Sequence, residues 1–316
     1  MSSPFKLIMI SAGFEHGGNV THRHFDGHPG LNVYPFESQL GNRFFNDFLA
    51  SVERVQYRYP EFREGLTAEE AYEDMIDEEM KTVLRKRNGS KFRDADLQLD
   101  EADRIQAFKE YLNGKSISRK NIIAAFFTAT FKAWRNYYNP NSDTSAYVGY
   151  SPAIGIDAGR IVKDFPDARI VHVVRNPFSA YRDTKRRPFP QPLERYLVTW
   201  NIYHSTAAMY ASQYPENVII VRYEDLVADK ETFFRNLCPR LGIKFDESLL
   251  YPSWNGVELK GDIAPWGTVL RSNKDYNESI ISELTPEDRK LIANATRPLA
   301  AHFGYPESEP FSTLYA

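Results

Sequence analysis

Apolar residues fall into two alternating patterns along this chain, short unbroken runs and longer stretches with helical spacing. Lys6-Leu7-Ile8-Met9-Ile10-Ser11 reads as a strand buried on both faces, and Gly13 and Gly17-Gly18 behind it mark a loop leading to a short helix over residues 20–26. Leu40, Phe44, Phe48, Val52 and Val55 come close to a 3.6-residue period and predict a helix over residues 39–57. Thr67-Ala68-Glu69-Glu70 is a capping box that opens a charged helix to about residue 87, where Asn88-Gly89 breaks it. Further helices are predicted over residues 102–113 and 118–138, the second stopped near Pro140. Ala168-Arg169-Ile170-Val171-His172-Val173-Val174 is another buried strand, followed by a helix over residues 193–214 and a strand over 218–221. Thr285 as N-cap, with Pro286 in the first turn, opens a final helix to about residue 303. Helices alternating with short apolar strands predict an α/β fold on a parallel, doubly wound sheet.

Composition narrows the class. The 316 residues, 42% apolar and 14% aromatic, describe a folded globular chain, expected as a single α/β domain over residues 1–316. Residues 58–116, charge-rich and weakly patterned, are expected as a helical insertion over the sheet, either a lid on a substrate site or a solvated appendage. A formal charge of −3 argues against nucleic-acid binding by bulk electrostatics, which makes the run Lys185-Arg186-Arg187 local. The single cysteine, Cys238, excludes an internal disulfide and follows Phe233, Phe234 and Leu237 as a small core residue would. The apolar run at residues 7–10 is too short for a secretory or membrane segment. The expectation is a cytoplasmic protein that is not integral to a membrane.

The candidate chemistry gathers where a strand ends on an arginine. Arg175-Asn176-Pro177 stands at the carboxyl end of the 168–174 strand, where open α/β sheets place ligands and helix N-termini present backbone N–H groups to anions. Arg175 is thereby placed to grip a phosphate, with partners drawn from Asp183 and Ser179, or from Thr184, on the helix that follows. His16, His22, His24 and His28 cluster around Asp26, but their spacing matches no recognised zinc pattern and no metal is expected. No G-x-x-x-x-G-K-[ST] occurs, which disfavours a P-loop kinase or GTPase.

Three segments resemble the sulfotransferase family. Phe165-Pro166-Asp167-Ala168-Arg169-Ile170-Val171-His172-Val173-Val174-Arg175-Asn176-Pro177 is similar to the family's strand leading to its 3′-phosphate arginine. Val221-Arg222-Tyr223-Glu224-Asp225-Leu226 with Leu241-Gly242 further on resembles its second half, and His28-Pro29 with Glu37 resembles its His-Pro followed by an acidic residue. The resemblance implies a P-loop-NTPase-like sheet flanked by helices and transfer of a sulfuryl group from 3′-phosphoadenosine 5′-phosphosulfate to a hydroxyl or amine, without metal. It places Gly17, Gly18, Asn19 and Thr21 on the phosphosulfate, Arg175, Ser179, Asp183 and Thr184 around the 3′-phosphate, and Arg271 in a late basic loop, with Lys274 beside it. Three positions depart from the family pattern: Glu15 where its cation stands, Tyr150 in place of Lys before Ser151-Pro152, and Asp183 where a serine is frequent.

Sulfuryl transfer needs an acceptor oxygen or nitrogen, a base for its proton, and positive or N–H groups facing the charge that develops. Glu37 is the first candidate base by its place after His28-Pro29; His16, in the loop, is the second, as base or as a cation when protonated. Arg23 and the clustered histidines are expected to supply positive field to the loop. The partners implied are the nucleotide donor and a small-molecule, lipid or carbohydrate acceptor. A protein that keeps the fold and binds the nucleotide without catalysis, in a regulatory role, stands as the alternative, motivated by Glu15 and Tyr150.

Overall fold

The computed structural model describes residues 5–44, 47–139, 144–261, 264 and 283–305. Its centre is a five-stranded sheet, all parallel, built from β1 (Leu7–Ala12), β2 (Leu31–Val33), β3 (Ala146–Tyr150), β4 (Arg169–Val174) and β5 (Val218–Arg222) in the order β2-β3-β1-β4-β5. Every residue of β1 is buried because both faces are covered. Leu7 and Met9 join one apolar cluster, and Ile8, Ile10 and Ala12 the other, as the two-residue side-chain period requires. The chain leaves β1 toward β3 and β2 on one side and β4 and β5 on the other. The carboxyl ends of β1 and β4 therefore flank the crevice of this topology.

Helices cover both faces. α1 (Gly18–Phe25), α9 (Tyr223–Ala228) and α10 (Lys230–Leu241) pack on one; Cys238 is buried there, its thiol pushed up to about 11 by burial. On the other lie α2 (Ala68–Asp74), α3 (Glu78–Lys86), α4 (Glu101–Leu112), α5 (Arg119–Ala133) and α6 (Ala158–Asp164). α7 (Pro177–Lys185), α8 (Leu193–Gln213) and the helix Pro286–His302 enclose a third cluster around Phe178 and Trp200. A small hairpin, Ser253–Trp254 with Val257–Glu258, lies apart from the main sheet. No helix among the described residues is long and apolar enough to cross a membrane.

The three long apolar runs are strands as expected, whereas β2 and β3 have no counterpart in the pattern reading. The helix expected over residues 39–57 is absent: this stretch forms 3-10 turns at Phe48–Ser51 and Val55–Tyr57, with Phe44 and Phe48 exposed. Gly41 is the reason in part, since it packs so close to the Val55 carbonyl that any Cβ would collide with it. Arg58, buried and paired with Asp157 at 2.8 Å and Asp47 at 3.0 Å, ties down the far end. The charged helix after Thr67 keeps its capping box but breaks in two. Lys81 donates to the carbonyls of Tyr72 (2.9 Å) and Met75 (2.6 Å), satisfying the end of α2. Asp77 stands at φ 38 in a buried pair with Arg104 at 2.7 Å.

Candidate functional site

β1 runs into a loop whose last residue, Gly17, takes φ 83 and begins α1 without a side-chain cap. A Cβ on Gly17 would collide with the Tyr223 ring, and one on Gly18 would crowd the Tyr150 ring. Both glycines are thus required by close approach, and the first also by its backbone angle. No side chain caps the opening N–H groups of α1, and helix N-termini left open in this way can hold anions. Thr21 turns its hydroxyl back to the Gly17 carbonyl at 3.0 Å, whereas Asn19 is half-buried at the start of the helix.

Arg175 stands at the carboxyl end of β4 and reaches this loop. Its Nη1 donates to the Glu15 carbonyl at 2.7 Å and to Asp183 Oδ2 at 2.8 Å, and its guanidinium lies 5.0 Å from the Tyr223 ring centre. Burial works against the guanidinium charge, but Asp183, Tyr223 and Glu224 together more than offset it and the net shift is upward. Asp183 also accepts from Arg182 at 2.7 Å, so one carboxylate lies between two guanidiniums. Asn176 caps α7 by accepting from the Phe178 N–H at 3.0 Å, and Ser179 is buried in that first turn. Thr184 is buried and donates to the Ala180 carbonyl at 2.9 Å. Glu224 braces the loop after β4, accepting from the Asn176 N–H at 2.9 Å and the Tyr305 hydroxyl at 2.8 Å. The structure therefore brings together Gly17, Gly18, Arg175 and Asp183; Arg271 and Lys274 lie outside the described residues.

Glu15, where a cation was sought, is matched by Arg187. Its Oε1 is 3.2 Å from Arg187 Nε, and the same guanidinium lies 5.2 Å from the Phe14 ring centre. Burial raises the Glu15 carboxyl and Arg187 opposes the rise. The histidines bring no comparable charge. Burial lowers His16 and His24 to about 4 and His22 well below its usual value, so all three are neutral near pH 7, against the expectation of a positive field from them. His16 accordingly cannot serve as a standing cation at that pH. Its Nδ1 is 2.7 Å from the Phe14 carbonyl, which fixes the proton there and leaves Nε2 as a buried acceptor with no partner among the described residues. Arg23 is buried and donates to the Tyr34 carbonyl at 3.1 Å instead of facing the loop. His24 and His28 bond the carbonyls of Leu249 and Lys244, each at 2.9 Å. Among the described residues no group of three or more His, Cys, Asp and Glu side chains is arranged to hold a metal ion.

Glu37 follows β2 on the other side of the loop, half-buried. Burial and the neighbouring Glu79 raise its carboxyl to about 7, while Lys91, Arg187 and a hydrogen bond with Tyr57 oppose the rise. A carboxylate so placed can take a proton near neutral pH, as a general base must. Pattern reading missed Glu79, Tyr57, Lys91 and Arg187, because each lies on an element whose position relative to the loop no local spacing encodes.

The family model described as "Sulfotransferase family" matches residues 47–247, a span that takes in Arg175 and Glu224 and begins after the loop. Among solved structures, the chain is similar to the sulfotransferase domain from the Synechococcus PCC 7002 olefin synthase, with 18% identity, a TM-score of 0.58 and 97% of each chain covered. It is also similar to the sulfotransferase domain from the curacin biosynthetic pathway, with 17% identity, a TM-score of 0.56, and 96% of this chain and 99% of that one covered. At such identities these two likenesses speak to the fold. No curated protein matches the chain.

Proposed function

The chain belongs to the sulfotransferase family, and from that premise we propose that it moves a sulfuryl group from 3′-phosphoadenosine 5′-phosphosulfate to a hydroxyl or amine of a small-molecule, lipid or carbohydrate acceptor. The observation that supports this best is the junction of the two loops at the carboxyl ends of adjacent strands, where Arg175, just past β4, donates to the Glu15 carbonyl in the β1 loop at 2.7 Å. One cation and the free N–H groups of a helix start thereby face the same crevice, matching a donor with phosphates at both ends of a nucleoside. The fit includes one competing carboxylate, Asp183, on that cation.

The donor supplies an activated sulfur–oxygen bond. The acceptor oxygen or nitrogen forms a new bond to sulfur as the bond to the 5′-phosphate breaks, and the electron pair leaves with the phosphate. Glu37 takes the acceptor proton, and the N–H groups of Gly18 and Asn19 face the charge on the leaving phosphate. Arg175 holds the 3′-phosphate, with Ser179 and Thr184 on the following helix beside it. His16 remains the second candidate base, through Nε2.

One second reading, a nucleotide-binding protein without catalysis, is favoured by Glu15, which puts a carboxylate where the family's cation stands and pairs with Arg187 at 3.2 Å. Calorimetry with 3′-phosphoadenosine 5′-phosphate, and transfer of labelled sulfate from the donor to a panel of hydroxyl and amine acceptors in the presence of a chelator, separate the two. Binding with transfer supports the enzyme, binding without transfer supports the second reading, and no binding removes both.

A further inference from the structure

Glu79 stands on α3, 42 residues beyond Glu37, yet its Oε2 accepts the backbone N–H of Glu37 at 3.0 Å. Its Oε1 pairs with Lys91 Nζ at 2.6 Å. Its own N–H donates to Gln39 Oε1 at 3.3 Å, and two further bonds, Asp77 N–H to the Gln39 carbonyl (3.0 Å) and Ile76 N–H to the Gly41 carbonyl (2.9 Å), clasp the start of α3 to the segment after Glu37. The buried Arg104–Asp77 pair anchors that clasp from behind. Glu79 is therefore held at a fixed distance from Glu37 and cannot swing away into solvent; its side chain is 12% exposed.

We propose that Glu79 is a positioning residue that works through Glu37: it fixes the backbone of Glu37 and, as a fixed negative charge beside it, makes the Glu37 carboxylate a stronger base toward the acceptor. This rests on the reading of Glu37 as the base. The groups around the pair come from several elements. Tyr57, Lys91 and Arg187 face Glu37, Lys91 and Asp77 face Glu79, and the buried Tyr150 of β3 senses Glu37, Tyr57, Glu15 and Glu79. Arg23 of α1 senses Glu79 from below. Burial raises both carboxyls, and Lys91, whose ammonium bonds Glu79 directly, opposes the rise more at Glu79, so of the two it is Glu79 that holds its charge and Glu37 that takes the proton. A residue that merely braced the loop would need only its acceptor oxygen, which a glutamine also offers. The charge is what Glu79 adds.

Glu79→Gln and Lys91→Met act on this charge with opposite signs. In the free protein, carbon-13 carboxyl NMR follows the titration of Glu37, assigned by the resonance lost in Glu37→Gln. The acid limb of kcat for sulfuryl transfer is followed in parallel. Glu79→Gln is expected to move the Glu37 titration and the acid limb down by about one pH unit, a tenfold change in proton affinity, and Lys91→Met to move both up. The KM for the donor should stay within about twofold. Shifts in the same direction in both variants, or no shift in either, overturn the inference, and Lys91→Met keeps that test open if Glu79→Gln does not fold. NMR shifts of opposite sign in a protein that transfers no sulfuryl group overturn Glu37 as base, and the inference with it. Turnover with an unmoved Glu37 titration overturns the inference alone.

Discussion

Replacing Asp183 by Asn is expected to tighten the binding of 3′-phosphoadenosine 5′-phosphate. The carboxylate holds Arg175 at 2.8 Å and Arg182 at 2.7 Å, and Arg182 has a second acidic partner in Glu283 at 2.7 Å. A phosphate that shares Arg175 puts its charge roughly 5 Å from Asp183. At an effective dielectric of about 20–40, two unit charges at that separation repel by about 1.7–3.3 kcal/mol, or about 15–250-fold in Kd. Partial exposure of the Asp183 side chain, 16%, favours the lower end. The amide still accepts a hydrogen bond but no longer neutralises Arg175, so the variant should also lose about 1–3 kcal/mol of stability, less than breaking a fully buried pair. Calorimetry at two salt concentrations, with a denaturant titration for the fold, measures both effects. A folded variant with unchanged or weaker affinity would refute the reasoning, because the phosphate would then not share its guanidinium with Asp183.

Arg175→Ala should weaken the same ligand by at least about 2 kcal/mol in a folded protein, measured by the same calorimetry, and should abolish the gain from Asp183→Asn in the double variant. Glu37→Gln should lower kcat by about 10²–10⁴ with little change in donor affinity. Because a base works deprotonated, activity should rise with pH through about 7 if Glu37 is the base; if His16 is, the rise should lie near 4, the profile should be flat from pH 6 to 8, and His16→Asn should have the larger effect. Gly17→Ala should lose donor binding and lower the melting temperature, because the new methyl strikes the Tyr223 ring at a backbone angle that alanine resists; wild-type behaviour would remove the close approach from the argument.

Most of the sheet was legible because strands buried on both faces need continuous apolar runs, as in Leu7–Ala12 and Arg169–Val174. β2 escaped notice because three residues carry no period, and β3 because Ala-Tyr-Val-Gly-Tyr breaks its apolar run with Gly149. The spacing over residues 39–57 misled for a different reason. Contacts made by Gly41, and by Arg58 with Asp157 ninety-nine residues away, outweigh a period that leaves Phe48 in solvent. At the candidate site, Arg175 and Gly17 were readable from their places at strand and loop ends. The partners Glu79 and Arg187 were not, since only the packing of α3 and α7 brings them to Glu37 and Glu15.

The contact between Gly17 and Tyr223 also has a bearing on how the protein is made. The β1 loop takes its shape against an aromatic ring some two hundred residues downstream and is held from the side by Arg175, so neither early synthesis nor local propensity can shape it. A nascent chain that has not yet released α9 from the ribosome has a first strand and no wall behind its loop. The crevice is thus completed only after the last strand of the sheet docks, and a truncated or stalled product exposes apolar β1 without gaining the ability to be rescued by nucleotide. Ligand-assisted folding, which stabilises many enzymes during biogenesis, is available to this chain only once α9 has left the ribosome.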